Sequence, residues 1–468
     1  MTFRTLRILA PLLAASLLVS GCSTFDFMDS WFTGTSKSKL KGERIPVMTA
    51  DESLKTDASL ASVKVILPRP YVNTEWPNPG GYATSAMYHL QAPGPLKKVW
   101  EVDTGKGSTS ESRLTAPPVV AGGRVFVLDA AATVHAFDGR DGTELWSVSL
   151  APKGGDASLL NTATLGLLGE NTKIDPTKGF GGGLAYEKGR LFATSGFGQV
   201  VAFSAQNGGR LWRTDLGVPI VNAPVVNGGR LFVSSEDNHF VALAQNDGRK
   251  LWDHQGISEA AGILSSTSAS VAGEFVIVPY TSGELYAIRV QNGRPAWNDM
   301  LTRSGQVTAL SELDDIAGRP VIDRDLVFAI SHSGVMAAIS LSTGDRIWSR
   351  DIGGIQTPWA AGDFIYVLTT ESQLMCLQRK DGRVKWITQL DRWENPETKD
   401  GTIVWAGPVL VSNRLVVVSN TGVLQAVSPY TGKLMGKEEF EGGTMIAPVV
   451  ANGTLYMLTK HAELLALR

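Results

Sequence analysis

One short pattern, a glycine followed four residues later by a tryptophan, returns six times along this chain. Two longer runs precede each copy and alternate apolar with small or polar residues, as in "GRLFVSS" from Gly229 and "NHFVALA" from Asn238; this alternation is typical of β-strands. A short apolar run, such as "NAPVV" from Asn222, comes before each pair. With the strand that carries the tryptophan, these runs define a repeat unit of four strands.

The length of the repeat unit predicts a β-propeller. Trp100 and Gly436 occupy the tryptophan position of two further copies, and successive positions lie between 38 and 66 residues apart. Units of about 40 to 50 residues with four strands are typical of propeller blades. The last unit has three strands and stops at Arg468, whereas residues 96–102 supply an isolated fourth strand. We therefore predict an all-β fold, an eight-bladed β-propeller over residues 96–468, closed by pairing of its N- and C-terminal strands.

The repeated glycine and tryptophan have separate predicted roles. The glycine lies in the turn between the third and fourth strands, where a positive φ is needed. The tryptophan is expected to pack between adjacent blades and to use its indole N–H as a hydrogen-bond donor. Gly436 leaves one interface without this side chain, for no reason visible in the sequence. The predicted blade-docking residues are Trp100, Trp146, Trp212, Trp252, Trp297, Trp348 and Trp386.

The first 21 residues are predicted to be a lipoprotein signal peptide. Two arginines precede an apolar run of twelve residues, which is too short to span a bilayer, and the run leads into "LLVSGC". This ending resembles a lipoprotein box, in which Cys22 is acylated and becomes the new N-terminus. Ser23 follows it, which by analogy with lipoprotein sorting indicates the outer membrane. The alternative is an ordinary secretory peptide with a chance cysteine.

Residues 22–95 are predicted to form the lipidated cysteine followed by a linker and strap. Stretches such as "LPRPYVNTEWPNPGG" are too rich in Pro, Gly and Asn for regular structure. Tyr71 and Trp76 either pin this segment to the folded body or face solvent.

Charge and cysteine content exclude several classes of function. The formal net charge is −2, so no basic face indicates a nucleic-acid partner. Cys376 is the one cysteine left after Cys22, and its strand pattern indicates a buried, inert thiol. The six histidines show no metal-ligand spacing, so no metal site is predicted.

The repeat resembles the tryptophan-docking motif of pyrroloquinoline-quinone propellers, whose enzymes are periplasmic dehydrogenases. That resemblance implies a Ca²⁺ held by carboxylate and amide groups, a catalytic Asp, and in many members an adjacent pair of cysteines. This chain has no adjacent cysteines. We therefore expect no cofactor, no catalytic residues and no enzymatic activity. A quinoprotein dehydrogenase-like enzyme and a glycan- or lipid-binding propeller remain the alternatives.

The lipoprotein box, the eight units and the terminal ring closure together resemble the BamB family. The resemblance implies a lipid-anchored scaffold on the periplasmic face of the outer membrane, which docks on the barrel-forming subunit of the machinery that assembles β-barrel proteins. In the family two neighbouring loops bind this partner. The matching positions here are Ile263 and Leu264 in one loop, without the family's arginine, and Asp314, Asp315 and Arg319 in the other. Ordinary solvated loop charges remain the alternative for the second loop.

Overall fold

The computed structural model describes residues 54–110, 112–151, 181–258, 267–302 and 314–468. These residues form one short 3-10 helix, Ala58–Leu60, and 34 β-strands. The strands make eight four-stranded antiparallel sheets and one two-stranded hairpin. The predicted eight-bladed propeller is confirmed. No helix in the described parts of the chain is long and apolar enough to cross a membrane.

The sheets follow one another along the chain as blades 1 to 8. Strand β1 (Lys98–Asp103) comes before blade 1 in the sequence. Blades 1 to 4 consist of β2–β5 (Val119–Ala121, Arg124–Leu128, Thr133–Asp138, Glu144–Ser149), β6–β9 (Gly182–Glu187, Arg190–Ser195, Gln199–Ser204, Arg210–Asp215), β10–β13 (Val225–Asn227, Arg230–Ser234, His239–Ala244, Lys250–Gln255) and β14–β17 (Ser270–Ala272, Phe275–Pro279, Glu284–Arg289, Pro295–Met300).

Blades 5 and 6 consist of β18–β21 (Val321–Asp323, Leu326–Ile330, Met336–Ser340, Arg346–Arg350) and β22–β25 (Trp359–Ala361, Phe364–Leu368, Gln373–Gln378, Val384–Gln389). The hairpin β26–β27 (Trp393–Asn395, Asp400–Thr402) follows. Blade 7 consists of β28–β31 (Trp405–Val411, Arg414–Ser419, Val423–Val427, Leu434–Glu439). Blade 8 contains β32–β34 (Val449–Ala451, Thr454–Leu458, Glu463–Leu467) and takes β1 as its fourth strand.

The ring closes through pairing of β1 with β34. The two strands are antiparallel and place Trp100 opposite Ala466. Just outside them, Lys97 and Arg468 exchange two backbone hydrogen bonds of 2.8 and 3.0 Å. This is the predicted closure, with the strand beginning at Lys98. The second and third strands of each blade are almost wholly buried, and apolar clusters fill the spaces between neighbouring blades.

The strand order gives the ring two different faces. Within each antiparallel blade, the first-to-second and third-to-fourth turns lie at one end. The second-to-third turns and the connections to the next blade lie at the other. We name the second end the connection face. The first end is the strap face, because residues 54–95, the strap, lie on it.

The repeated glycine and tryptophan meet across the interface between blades, not within one blade. A Cβ added at the glycine would lie 2.5–2.9 Å from the indole of the preceding blade at all seven sites. The φ angles of these glycines lie between +67° and +80°, which confirms the predicted positive φ. Six of the seven indoles donate to a backbone carbonyl of the next blade over 2.8–3.2 Å. Trp100 docks on Gly142 but has no acceptor for its buried N–H among the described residues.

Gly436 lacks a tryptophan because its neighbour lacks the docking turn. In every other blade the third and fourth strands are joined by a turn that contains the receiving glycine. In blade 8 these strands are β34 and β1, from opposite ends of the chain, so that turn does not exist. A side chain at Gly436 would meet nothing within 4 Å. Ring closure by the chain ends therefore removes the reason for an indole at this position.

The strap is anchored at the outer edge of blade 6 and then crosses to the propeller axis. The backbone N–H of Asp57 donates to the carbonyl of Val384 in β25 at 2.8 Å. The carboxylate of Asp57 also lies 3.4 Å from the guanidinium of Arg383. Further along, Trp76 is 4% exposed and exchanges backbone hydrogen bonds of 2.6 and 3.0 Å with Val120 of blade 1.

Between Asn73 and Leu90 the strap makes one circuit of the axis and bonds all eight blades in ring order. An indole N–H of blade 6 donates to a backbone carbonyl of the strap. The backbone of Leu90 is hydrogen-bonded to blade 7, and the side chain of Asn73 is hydrogen-bonded to blade 8. Each innermost strand has a neighbour on one side only, and the strap supplies partners for its other edge. In blades 1 to 5 the equivalent backbone N–H of the first strand donates to the strap over 2.7–3.0 Å; the donors are Val120, Tyr186, Val226, Val271 and Ile322.

Candidate interaction site on the connection face

A cavity of about 400 Å³ lies on the propeller axis and is lined by residues of the connections. The strap forms its floor with Trp76, Gly80 and Ser85. Among the described residues of its wall, Arg113, Arg319 and Lys460 carry charge and no residue is a carboxylate, histidine or cysteine. The axial channel of this propeller is thus closed at the strap face.

The wall of this cavity does not fit a calcium-dependent quinone cofactor. Such a site needs carboxylate oxygens for the cation and a carboxylate base for the reaction. The described wall residues supply neither. Elsewhere in the described chain, no group of three or more His, Cys, Asp or Glu residues is placed to hold a metal ion.

The three residues predicted in the second loop occupy different environments. Asp314 is partly exposed at the connection face. Asp315 is 3% exposed, and its carbonyl accepts the backbone N–H of His332 at 2.8 Å. Arg319 lies in the wall of the axial cavity, where burial lowers the pKa of its guanidinium to about 10. Asp315 is therefore out of a partner's reach, whereas Asp314 is partly exposed on the connection face.

The second-to-third turn of blade 4 lies between the described ends of the two predicted loops. The backbone N–H of Ile257, which leads toward Ile263 and Leu264, donates to the buried carboxylate of Glu284 at 2.8 Å. On the other side of this turn, a Cβ added at Gly283 would lie 3.1 Å from the carbonyl oxygen of Asp314. The described ends of both loops thus flank one turn. Ile263 and Leu264 lie outside the described residues, and so does Cys22.

Packed aromatic and polar groups hold that turn in place. Nδ1 of His254 lies 2.7 Å from the Tyr280 hydroxyl, and the Tyr286 hydroxyl donates to Glu284 at 3.3 Å. Burial lowers the pKa of His254 and raises the pKa of Tyr280. The neutral forms of both groups are therefore favoured.

The hairpin β26–β27 is an element of the connection face that the repeat pattern does not predict. It joins blade 6 to blade 7 and exposes Glu394, Asn395 and Asp400. The indole of Trp405 donates to the carbonyl of Asp391 at 2.8 Å and fixes its base. The signals for it are the turn residues in "WENPETKDGT". An exposed hairpin adds a projecting polar surface to this face.

Cys376, His135 and His89 are held by packing or by hydrogen bonds within the fold. Cys376 is fully buried in β24, and burial raises the pKa of its thiol. Burial acts to lower the pKa of His135, but the negative charge of Asp129 and the 3.0 Å hydrogen bond with Glu144 outweigh it, and the pKa of His135 is raised. His89 accepts the backbone N–H of Asn413 at 3.0 Å and holds the strap.

These features define a class of protein: an eight-bladed propeller of the PQQ-like repeat type, with one face covered by its own chain and the other carrying long connections. The family model described as outer membrane protein assembly factor BamB matches residues 97–179 and 163–388. Because that match spans more than half of the chain, the protein belongs to this family. The strap lies outside the matched residues.

Individual relatives agree with this membership. An outer membrane protein assembly factor BamB from Moranella endobia is 23% identical over 374 residues, covering 79% of this chain and 90% of the relative. The crystal structure of BamB from Moraxella catarrhalis has a TM-score of 0.63 at 14% identity, covering 80% and 99% of the two chains. A quinohemoprotein alcohol dehydrogenase from Comamonas testosteroni has a TM-score of 0.61 at 12% identity, covering 84% and 80%. The likeness to the two solved structures shows the propeller fold alone.

Proposed function

We propose that this protein is a non-catalytic scaffold lipoprotein of the machinery that assembles β-barrel proteins in the outer membrane. Acylated Cys22 holds it on the periplasmic face of that membrane. Its connection face docks on the periplasmic domains of the barrel-forming subunit and assists insertion of outer-membrane proteins. The observation that carries this proposal is family membership, from a match over residues 97–388.

The geometry favours the connection face as the docking surface. The strap already occupies the other face and bonds all eight blades. Loops displayed on a rigid scaffold are where such folds commonly bind partners, and this face carries the long connections between blades. Asp314 sits beside the fixed turn of blade 4, and an acidic group there would steer a basic patch of the partner. We propose Asp314 with Ile263 and Leu264 as the centre of the contact.

The test is co-purification with the barrel-forming subunit from detergent-solubilised membranes. We expect Asp314→Lys, or Ile263→Asp with Leu264→Asp, to lower the recovered partner about tenfold or more, since reversing a contact charge costs several kcal/mol. The matched control is Asp363→Lys, on a strap-face turn where the aspartate is 81% exposed. Wild-type recovery for both connection-face variants would place the docking site elsewhere on the ring.

The lipid anchor has its own test. Cys22→Ala is expected to move the protein from the membrane fraction to the soluble periplasmic fraction, because the acyl chains supply the membrane affinity. Persistence of this variant in membranes washed under conditions that strip peripherally bound proteins would contradict anchoring through Cys22.

The dehydrogenase alternative is tested on purified protein supplied with Ca²⁺ and pyrroloquinoline quinone. The cavity wall offers no carboxylate among its described residues, so we expect neither saturable quinone binding nor alcohol oxidation. Turnover in this assay would mean that the protein is an enzyme, and it would contradict the proposed scaffold function.

A further inference from the structure

The strap exposes apolar side chains on the side turned away from the ring. Ile66 is 75% exposed and Val72 is 53% exposed. The rings of Tyr82 and Tyr88 are exposed on the same segment, and Tyr430 is exposed in a strap-face turn of blade 7. The inner side of the strap is already bonded to the ring, so these side chains form a surface of the folded protein.

The three exposed tyrosines are held in fixed orientations by their hydroxyl groups. Tyr82 donates to the side chain of Asn73 at 2.9 Å, and Tyr88 donates to Asp323 at 3.2 Å. Tyr430 donates to the side chain of Asn413 at 2.6 Å. The other six tyrosines of the chain are buried or partly buried. Because the rings are already immobilised, contact with a second surface costs little further side-chain entropy.

We propose that the strap face is a membrane-contact surface, which lays Ile66, Val72 and the three tyrosines against the headgroup region of the bilayer. This inference rests on the proposed acylation of Cys22. Residues 23–53 join that cysteine to the strap, so the strap is the described segment nearest the anchor in sequence. Even fully extended, these 31 residues reach at most about 110 Å. The anchor therefore keeps the protein within reach of a bilayer, and the strap is the part of the described chain that follows it first.

The chemistry of the surface fits phospholipid headgroups. Tyrosine is enriched where protein meets the membrane interface, because its ring is apolar and its hydroxyl is polar. Exposed Lys64 and Arg69 flank Ile66 and suit lipid phosphates. The strap as described contains three basic and two acidic residues, so apolar contact and not net charge is the main attraction. The family model matches residues between 97 and 388, so the strap and Tyr430 lie outside the matched residues.

The orientation is tested with a single environment-sensitive fluorophore on the acylated protein in phosphatidylethanolamine and phosphatidylglycerol vesicles. Acylated Cys22 has no free thiol and Cys376 is buried, so an introduced cysteine is labelled alone. Ile66→Cys and Tyr82→Cys place the probe on the strap face. The controls are Leu211→Cys on the outer circumference and Ile257→Cys on the connection face, which are 49% and 53% exposed in the native side chains.

We expect a blue-shifted emission and quenching by brominated lipids at Ile66 and Tyr82, and neither effect at Leu211 or Ile257. Equal effects at all four sites, or effects confined to Ile257, would overturn the proposal. A blue shift that grows with protein concentration in the absence of vesicles would also overturn it, because the occupant would then be a second copy of the chain.

A second arm removes the dependence on the lipid anchor. The Cys22→Ser chain is sedimented with the same vesicles, alone and with Ile66→Ser plus Val72→Ser. Loss of two exposed aliphatic side chains is expected to lower the partition constant for vesicle binding about tenfold. The matched control is Leu145→Ser plus Leu211→Ser, 43% and 49% exposed in the native protein. Equal binding by both double variants would contradict a strap-face contact, whatever the fate of the anchor or of partner docking.

Discussion

At the scale of single residues, the docking tryptophans differ in one hydrogen bond. The indole N–H of Trp252 donates to the carbonyl of Val290 at 2.9 Å in a buried interface, whereas Trp100 has no such acceptor in the described part of the chain. We expect Trp252→Phe to lower the free energy of unfolding about 1 kcal/mol more than Trp100→Phe does, because it also leaves a buried carbonyl without its donor. Chemical denaturation of the two variants measures this difference, and equal losses would show that the hydrogen bond contributes nothing.

The turn glycines give the second residue-scale prediction. Gly382 has φ +67°, and an added Cβ would lie 2.7 Å from the indole of Trp348. We expect Gly382→Ala to destabilise the protein by about 2 kcal/mol or more, from backbone strain and overlap together. Gly436→Ala is the control, because its Cβ meets nothing within 4 Å. Thermal melting of both variants is the measurement; similar melting temperatures would contradict the docking geometry.

His135 makes stability depend on pH. Its pKa is raised in the folded protein by Asp129 and Glu144, against the effect of burial. A raised folded-state pKa means that the stabilisation is fully present below the unfolded pKa, about 6.5, and is lost as pH rises through the folded value. We expect the difference in unfolding free energy between wild type and His135→Gln to shrink from pH 6 toward alkaline pH. A difference that grows over this range would give the opposite sign and contradict the assignment.

At the scale of elements, the strap is a structural part of the ring. Trp76 is buried and its backbone is paired with Val120. We expect Trp76→Ala to cost about 3 to 5 kcal/mol, since it removes a large buried side chain. Val72→Ala, at a site 53% exposed in the same segment, is expected to stay within about 0.5 kcal/mol. Denaturant titration of both chains separates a docked strap from a loosely held one, for which both changes would be small.

At the scale of the whole molecule, stability depends on closure of the ring. Deletion of residues 463–468 removes β34, whose Leu464, Leu465 and Leu467 are at most 5% exposed. Loss of three such side chains costs on the order of 6 to 12 kcal/mol, and blade 8 also loses its pairing with β1. We expect the truncated chain to unfold as a unit at much lower denaturant concentration. Melting like the intact protein would mean that the strap alone holds the ring closed.

Sequence analysis predicted the repeat, the number of blades and the closing strands. Those features follow from local patterns, because strand alternation and turn glycines are dictated by neighbouring residues. The irregular strap was recognised as a segment, but its path was not predicted. Asn73 and Leu90 are bonded to blades at the opposite end of the chain, and no periodic pattern marks such contacts. The hairpin β26–β27 was missed for the related reason that it interrupts the repeat.

For the proposed docking residues too, the sequence predicted the segment but not the surroundings of each side chain. The sequence placed Asp314, Asp315 and Arg319 in one acidic loop. The burial of each side chain, however, depends on which parts of the folded ring pack against it. In the folded ring one is partly exposed, one is buried, and one lines the axial cavity.

The sequence by itself determined the all-β architecture, the eightfold repeat and the glycine–tryptophan chemistry, since each follows from a local pattern of about 40 to 50 residues that returns along the chain. The tertiary structure decided that each glycine receives the indole of the preceding blade, that Gly436 needs none, and that the strap seals one face. These outcomes depend on which distant segments become neighbours when the ring closes, and that information belongs to the closed ring as a whole.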